Sequence, residues 1–150
     1  MKLKMKRKLK GNENMEEIID IYDENMNLIG QKSKKQAHKE ENWHKNSHVW
    51  IVGNSGEGLN KCLIQLRAAY KSTFPNLWDI PVAGHFSAGD KPFEAVKREW
   101  EEEIGIAFPF KNLKENLIYK LEKTRDGAPV KEFIYFYFVR ADIDISKLTL

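Results

Sequence analysis

The amino-acid sequence predicts an α+β fold, on two observations. One strongly amphipathic helical segment lies between Asp90 and Gly105, and several β-rich runs pair locally around Gly, Asn, Asp and Pro turn signals. The regular alternation of strands and helices that marks a parallel doubly wound sheet is missing. A length of 150 residues suits one domain, and 41% hydrophobic with 31% charged residues suits a packed core under a solvated surface. The longest apolar run, Phe133 to Val139, has strand length and does not approach a membrane span.

Residues 1–14 read as a basic, disordered tail ahead of a domain over 15–150. The tail "MKLKMKRKLK" carries six positive charges before the first acid, Glu13, and no apolar stretch follows that would make it a secretory signal. Removing those six from the formal +3 leaves −3, so the domain is mildly acidic and a nucleic-acid partner is disfavoured. "EIIDIYDENMNLIG" alternates around a turn and predicts a hairpin, and "KKQAHKEENWHKN" is polar and aperiodic, a loop. Val49–Val52 and Lys61–Leu66 flank a Gly/Asn/Ser turn and predict a second hairpin. Cys62 lies in the latter run as a buried small hydrophobe. As the single cysteine it excludes an internal disulfide and fits a reducing, cytoplasmic setting.

"FPNLWDIPVAGHF" predicts a rigid loop and a short strand, with Phe74 and Trp78 as core or ring-stacking residues. The helix follows, with Asp90 as N-cap, Pro92 in the first turn and Gly105 as the stop. "NLIYKLEKT", the turn "RDGAP" and "KEFIYFYFVRAD" then predict an antiparallel pair.

At about 100° per residue, Phe93, Val96, Trp100 and Ile104 form an apolar stripe, and Glu99, Glu102 and Glu103 converge on an adjoining arc. A Glu-rich face is ordinarily a solvated one. Here a Gly-containing loop, "AGHFSAGD", precedes the helix, and Arg98 can brace Glu99 or Glu102. Three carboxylates on rigid backbone suit a hard divalent cation that also takes water and phosphate oxygens.

Gly84 to Ile106 resembles the Nudix box, matching at Gly84, Arg98, Glu99, Trp100, Glu102, Glu103, Gly105 and Ile106 with correct spacing; Asp90 replaces the first Glu. "DIYDENMNLIG", "HKNSHVWIV", "LIQLRAAYKSTFPNLWDIPVAGH" and "EFIYFYF" extend the resemblance to the branch related to isopentenyl diphosphate isomerase, over roughly Ile18 to Ile145. The resemblance implies an α/β/α sandwich with a mixed sheet. Relatives usually continue with a further strand and helix, which this chain is expected to lack, and an open edge beside Phe133–Val139 would then favour a homodimer.

The implied activity is metal-dependent hydrolysis of a diphosphate linked to an organic moiety X, with Mg²⁺ or Mn²⁺ held by Glu99, Glu102 and Glu103. Arg98 would orient Glu99, and either Glu99 or Glu132 would act as general base. Arg67, His44, His85 and Gly84 would contact substrate, and the partner is a small-molecule diphosphate, not a membrane. The isomerases resemble this chain at His38, His44, His85 and Glu132, where that family places metal ligands or catalytic acids. Their cysteine and second glutamate correspond to Ala83 and Val130, so hydrolysis is favoured over isomerisation. A catalytically silent binding module is the other alternative, disfavoured because Arg98 and all three glutamates are retained. His48, at a strand start, is expected to pack rather than to act.

Overall fold

The computed structural model describes residues 2–4, 16–70, 75–125 and 128–148. Lys2–Lys4 (β1) of the expected tail run parallel to Ile64–Leu66 (β5), which also pairs antiparallel with Trp78–Asp79 (β6). Residues 1 and 5–14 of the tail lie outside the described residues.

Ile18–Tyr22 (β2) and Leu28–Ser33 (β3) form the first expected hairpin. Its turn is held by Asp23, whose Oδ1 accepts from the backbone N–H groups of Asn25 and Asn27, both at 2.9 Å. The segment expected as a loop instead forms a short helix, Lys34–Lys39 (α1). Ser33 caps it, accepting from Gln36 N at 3.2 Å, and Ala37 is buried with Ile19 and Ile21. Cap and apolar anchor are each one residue long, too little to register as a helical period.

The main sheet has the order β7-β4-β9-β8, built from His44–Val52 (β4), Val82–His85 (β7), Leu117–Arg125 (β8) and Ala128–Arg140 (β9). β4 and β9 run parallel and the other pairs antiparallel, so the fold is α+β with a mixed sheet, as expected. Two local expectations need correction. Val49–Val52 and Lys61–Leu66 do not form a hairpin ladder: the later segment meets the end of β4 at an isolated Val52–Cys62 bridge, where Leu63 N donates to the Ile51 carbonyl at 2.8 Å, and the central partner of β4 is β9. Long-range apolar pairing outweighs the local turn signal here, and it leaves Cys62 half-buried in place of fully packed. The expected open edge beside Phe133–Val139 is also filled, since β9 is paired on both sides and the edges among the described residues are β7 and β8.

Pro92–Ile104 (α2) covers one face of this sheet. Val96, Trp100 and Ile104 are buried against Val49 and Ile51 of β4 and against Phe133, Tyr135, Tyr137 and Val139 of β9, while Phe93 is half-buried edge-on to Phe108. Truncating Trp100 to Ala would cost about 3–5 kcal/mol on this packing. Gly105 ends the helix in the left-handed conformation, at φ 76°. The start differs from expectation: Lys91 is the N-cap, with Pro92 first in the helix and Glu94 Oε2 accepting from Lys91 N at 3.2 Å. Asp90 has another task.

Candidate active site

The site begins with a close approach of β7 to α2. A Cβ built on Gly84 would fall inside the carboxylate of Glu99, so only glycine lets the strand and this side chain share the space. Glu99 is 1% exposed, and a buried carboxylate needs a cation and hydrogen bonds. Arg98 supplies both: its Nη1 donates to Glu99 Oε1 at 2.6 Å, and its Nη2 donates to Asp90 Oδ2 at 2.7 Å and to the His85 carbonyl at 3.1 Å. Burial opposes charge on this guanidinium, yet Asp90 and Glu99 overcome it and raise it above its ordinary value.

Asp90 therefore acts as a brace in place of a cap, accepting from Arg98 and, through the same Oδ2, from Ser87 N at 2.9 Å. Its shorter side chain still spans from the loop to the helix. On the other side of the loop, Gly89 donates its N–H to Asp20 Oδ2 at 2.9 Å, and its φ of 80° favours glycine. Asp20 was not singled out in the sequence. Its signal was an acid within an apolar strand, which alternation alone does not separate from a solvent-facing residue.

The three box glutamates are graded in exposure. Glu99 is enclosed, Glu103 is half-buried and Glu102 is exposed, with Glu102 Oε1 at 3.9 Å from Arg98 Nη1. The helix thus presents one fixed and two more accessible carboxylates, all oxygen donors.

One residue beyond Gly84, His85 faces the opposite side of β7, as strand alternation requires. There it meets His44 of β4 and His38 of α1, with ring nitrogens of all three within 4.8 Å of one another. His38 Nε2 and His85 Nε2 are 3.3 Å apart. Glu132, register partner of His44, places Oε1 at 3.5 Å from His44 Nε2 and 3.9 Å from His85 Nε2, and Asn46 Nδ2 donates to the same oxygen at 3.5 Å. His44 is 1% exposed and its Nδ1 is 2.9 Å from the Asn42 carbonyl, which only accepts. Nδ1 therefore donates to that carbonyl, which fixes the ring and turns Nε2 toward Glu132 and the other two imidazoles. Burial, then His44, push His38 below its ordinary value. Burial would raise the Glu132 carboxyl, but His44, His48 and Asn46 outweigh it and hold it below the usual carboxylate range.

The remaining expected residues are placed elsewhere. Arg67 ends its strand segment with Nη1 donating to Asp79 Oδ2 at 2.9 Å. Trp78 is 47% exposed and so not a core residue, and Phe74 lies outside the described residues. Ala83 and Val130 put aliphatic groups where the isomerase resemblance would need a thiol and a second carboxylate; Val130 is buried. His48 packs edge-on against Phe136, at 5.3 Å between centroids. Among the described residues no helix is long and apolar enough to cross a membrane.

Comparison with known proteins agrees with this arrangement. The model of the NUDIX domain matches residues 42–148. An uncharacterized Nudix hydrolase of Clostridium acetobutylicum is 35% identical over 136 residues, which is 90% of this chain and 65% of the relative. Nudix hydrolase 3 of Arabidopsis thaliana is 33% identical over 141 residues, 90% of this chain but 18% of that protein. An uncharacterized Nudix hydrolase of Listeria monocytogenes is 31% identical over 134 residues, 87% of this chain and 71% of the relative. This chain thus spans less than two thirds of the first two relatives. Among solved structures, a Deinococcus radiodurans protein superposes with a TM-score of 0.62 at 20% identity, covering 89% of this chain and 80% of that one, a likeness of fold.

Proposed function

The chain belongs to the Nudix family, and from that premise we propose that it is a metal-dependent pyrophosphohydrolase, cleaving the diphosphate linkage of a nucleoside diphosphate-X type of substrate by water attack on phosphorus. The observation that carries the reading is the Gly84–Glu99–Arg98–Asp90 assembly, which holds a buried carboxylate in the middle of α2 beside two more accessible ones in its last turn. The donor set fits a hard divalent cation, Mg²⁺ or Mn²⁺: Glu99, Glu102 and Glu103 offer oxygens only, and the missing side chain at Gly84 admits the Glu99 carboxylate between β7 and α2. A cation held there supplies charge neutralisation on the diphosphate and activation of the attacking water.

Arg98 positions Glu99 and cancels its charge at rest. His85 and His44, which lie with Glu132 across β7 from Glu99, are offered as substrate contacts, and the general base is either Glu99 or Glu132. Arg67 remains a substrate contact only through the surface around Asp79. The single cysteine and the small-molecule partner accord with a cytoplasmic setting.

The three-histidine cluster with Glu132 supports a second reading, an isomerase-like enzyme acting on an allylic diphosphate, because it fits a borderline divalent ion better than Mg²⁺. Ala83 and Val130 weigh against it, since neither can move a proton. Hydrolysis of a panel of nucleoside di- and triphosphates, dinucleotides, sugar diphosphates and isopentenyl diphosphate decides between them. Metal-requiring phosphate release lost in Glu102→Gln supports the hydrolase; isomerised isopentenyl diphosphate with no release supports the rival.

A further inference from the structure

The turn that carries Asp90 is held from outside its own helix. Residues 87–90 close on themselves, with Ser87 N donating to Asp90 Oδ2 at 2.9 Å and Asp90 N donating to the Ser87 carbonyl at 3.0 Å. A Cβ built on Gly89 would meet nothing within 4 Å, so packing does not fix the turn there and hydrogen bonds must. Two successive amides bind it to β2: Ala88 N donates to the Ile18 carbonyl and Gly89 N donates to Asp20 Oδ2, each at 2.9 Å. Both acceptors lie ahead of the stretch that the NUDIX domain model matches.

Asp20 is itself firmly set. Its register partner on β3 is Gln31, whose Nε2 donates to Asp20 Oδ1 at 2.9 Å. Ile19 and Ile21 point the other way and are buried with Ala37, as strand alternation requires. The carboxylate is 8% exposed at a position where an apolar side chain would carry no desolvation cost, so an acceptor is what the residue contributes.

We propose that Asp20 is a positioning residue for the hydrolytic site: through Gly89 it fixes the 87–90 turn, and through Asp90 and Arg98 it sets where the Glu99 carboxylate stands. The inference rests on the diphosphate reading above and extends its machinery to the N-terminal hairpin. The chain of contacts is short. Gly89 is the neighbour of Asp90, whose Oδ2 accepts from Arg98 Nη2 at 2.7 Å, and Arg98 Nη1 donates to Glu99 Oε1 at 2.6 Å. A planar guanidinium held at two nitrogens cannot tilt without breaking one of these bonds, so a shift at Asp90 becomes a shift at Glu99. Catalytic rates respond steeply to such shifts, about a hundredfold for roughly 1 Å of misplacement. The charge of Asp20 has a separable effect, since it supports the half-buried Lys45 ammonium, which burial pushes below its ordinary value. Asparagine at this position keeps an acceptor and removes the charge.

Two independent readouts on the full chain test the proposal: steady-state turnover, and hydrogen exchange of the Arg98 guanidinium by heteronuclear NMR. Asp20→Ala is expected to lower kcat at least about tenfold with KM unchanged, and to speed Arg98 exchange by a similar factor. Asp20→Asn should recover most of both, its Oδ1 accepting from Gly89 while its Nδ2 donates to a turned Gln31 amide. Should Asp20→Ala not fold by circular dichroism, Asp20→Leu, which fills the volume without an acceptor, carries the same expectation. On an Asp90→Asn background Asp20→Ala should add little further loss; full multiplication of the two losses would mean that Asp20 acts by another route. Equal losses in Asp20→Asn and Asp20→Ala would assign the effect to the charge beside Lys45 and overturn the proposal, as would unchanged Arg98 exchange in Asp20→Ala. The two readings fail separately. Native protein that cleaves nothing in the substrate panel, while Arg98 exchange still follows the Asp20 variants, removes the hydrolase and leaves Asp20 as the holder of Arg98. Turnover that needs Glu102 but is indifferent to Asp20→Ala removes the positioning role alone.

Discussion

The carboxylate of Glu99 occupies the volume that a side chain at Gly84 would need. Strand β7 and helix α2 are therefore spaced by an interaction between an absent side chain and a buried charge. Gly84→Ala forces one of them to move, and overpacking of this kind costs about 1–3 kcal/mol. Its expected signature is a melting temperature lower by several degrees together with a large fall in kcat, because Glu99 is the group displaced. Unchanged stability and turnover would show that the strand gives way freely.

Arg98 bonds the buried Glu99 and also ties Asp90 and the His85 carbonyl. Removing one partner of a fully buried pair costs about 3–5 kcal/mol; because Arg98 is about one third exposed, Arg98→Ala is expected to cost roughly 2 kcal/mol. Arg98→Lys should recover part of the stability but little of the activity, as one ammonium cannot span three acceptors in a fork. Chemical denaturation and kcat on the same variants provide the check.

Chelation with EDTA should abolish phosphate release, and Mg²⁺ or Mn²⁺ should restore it. Glu102→Gln and Glu103→Gln are each expected to lower kcat by at least about a hundredfold, since cation stabilisation is worth several kcal/mol and each 1.36 kcal/mol is tenfold. Both positions carry partly or fully exposed side chains, so melting temperatures should stay near that of the native protein.

The histidine cluster predicts a separate response to borderline metals. Zn²⁺ should raise the melting temperature, with about 2.7 kcal/mol of added stability at a hundred times its dissociation constant. His38→Ala, chosen because His38 is less buried than His44, should remove that shift while Glu102→Gln keeps it. Equal Zn²⁺ responses in the native protein and His38→Ala would leave the cluster as a packing arrangement only.

Asp142 accepts from Asn54 N at 2.7 Å, Ser55 N at 3.0 Å and Ser55 Oγ at 2.7 Å, joining the loop after β4 to the segment after β9. The Ser55 hydroxyl, then the two amides, hold its carboxyl below the usual aspartate range. A depressed folded-state value contributes stability above the unfolded value and loses it as pH falls through the folded one. Asp142→Ala should thus melt below the native protein at pH 7, and the gap between the two melting temperatures should shrink as acidification passes below the usual aspartate range. A gap that persists in acid would assign the effect to packing.

Much of this architecture was legible in local chemistry. The β2–β3 hairpin, the β8–β9 pair and α2 all carry their own periodicity and turn or stop residues, and Val96, Trp100 and Ile104 are buried as their spacing requires. The start of α2 was misread because Asp90 is both a good N-cap residue and a good partner for Arg98. A sequence shows the residue type and not which acceptor geometry wins. α1 was missed because one cap and one buried alanine are a weak signal.

Residue spacing by itself determined that three glutamates and Arg98 share one side of a helix behind a glycine, since 3.6 residues per turn is a property of the backbone. The tertiary structure alone decided what those groups meet. Parallel pairing of β4 with β9 sets Glu132 opposite His44 across 88 positions of chain, and α1 folds back to deliver His38. The same pairing sets Phe136 beside His48, and β6 closes over it with Trp78. Such juxtapositions follow from which apolar faces bury one another, a balance summed over the whole core that no single stretch of sequence encodes.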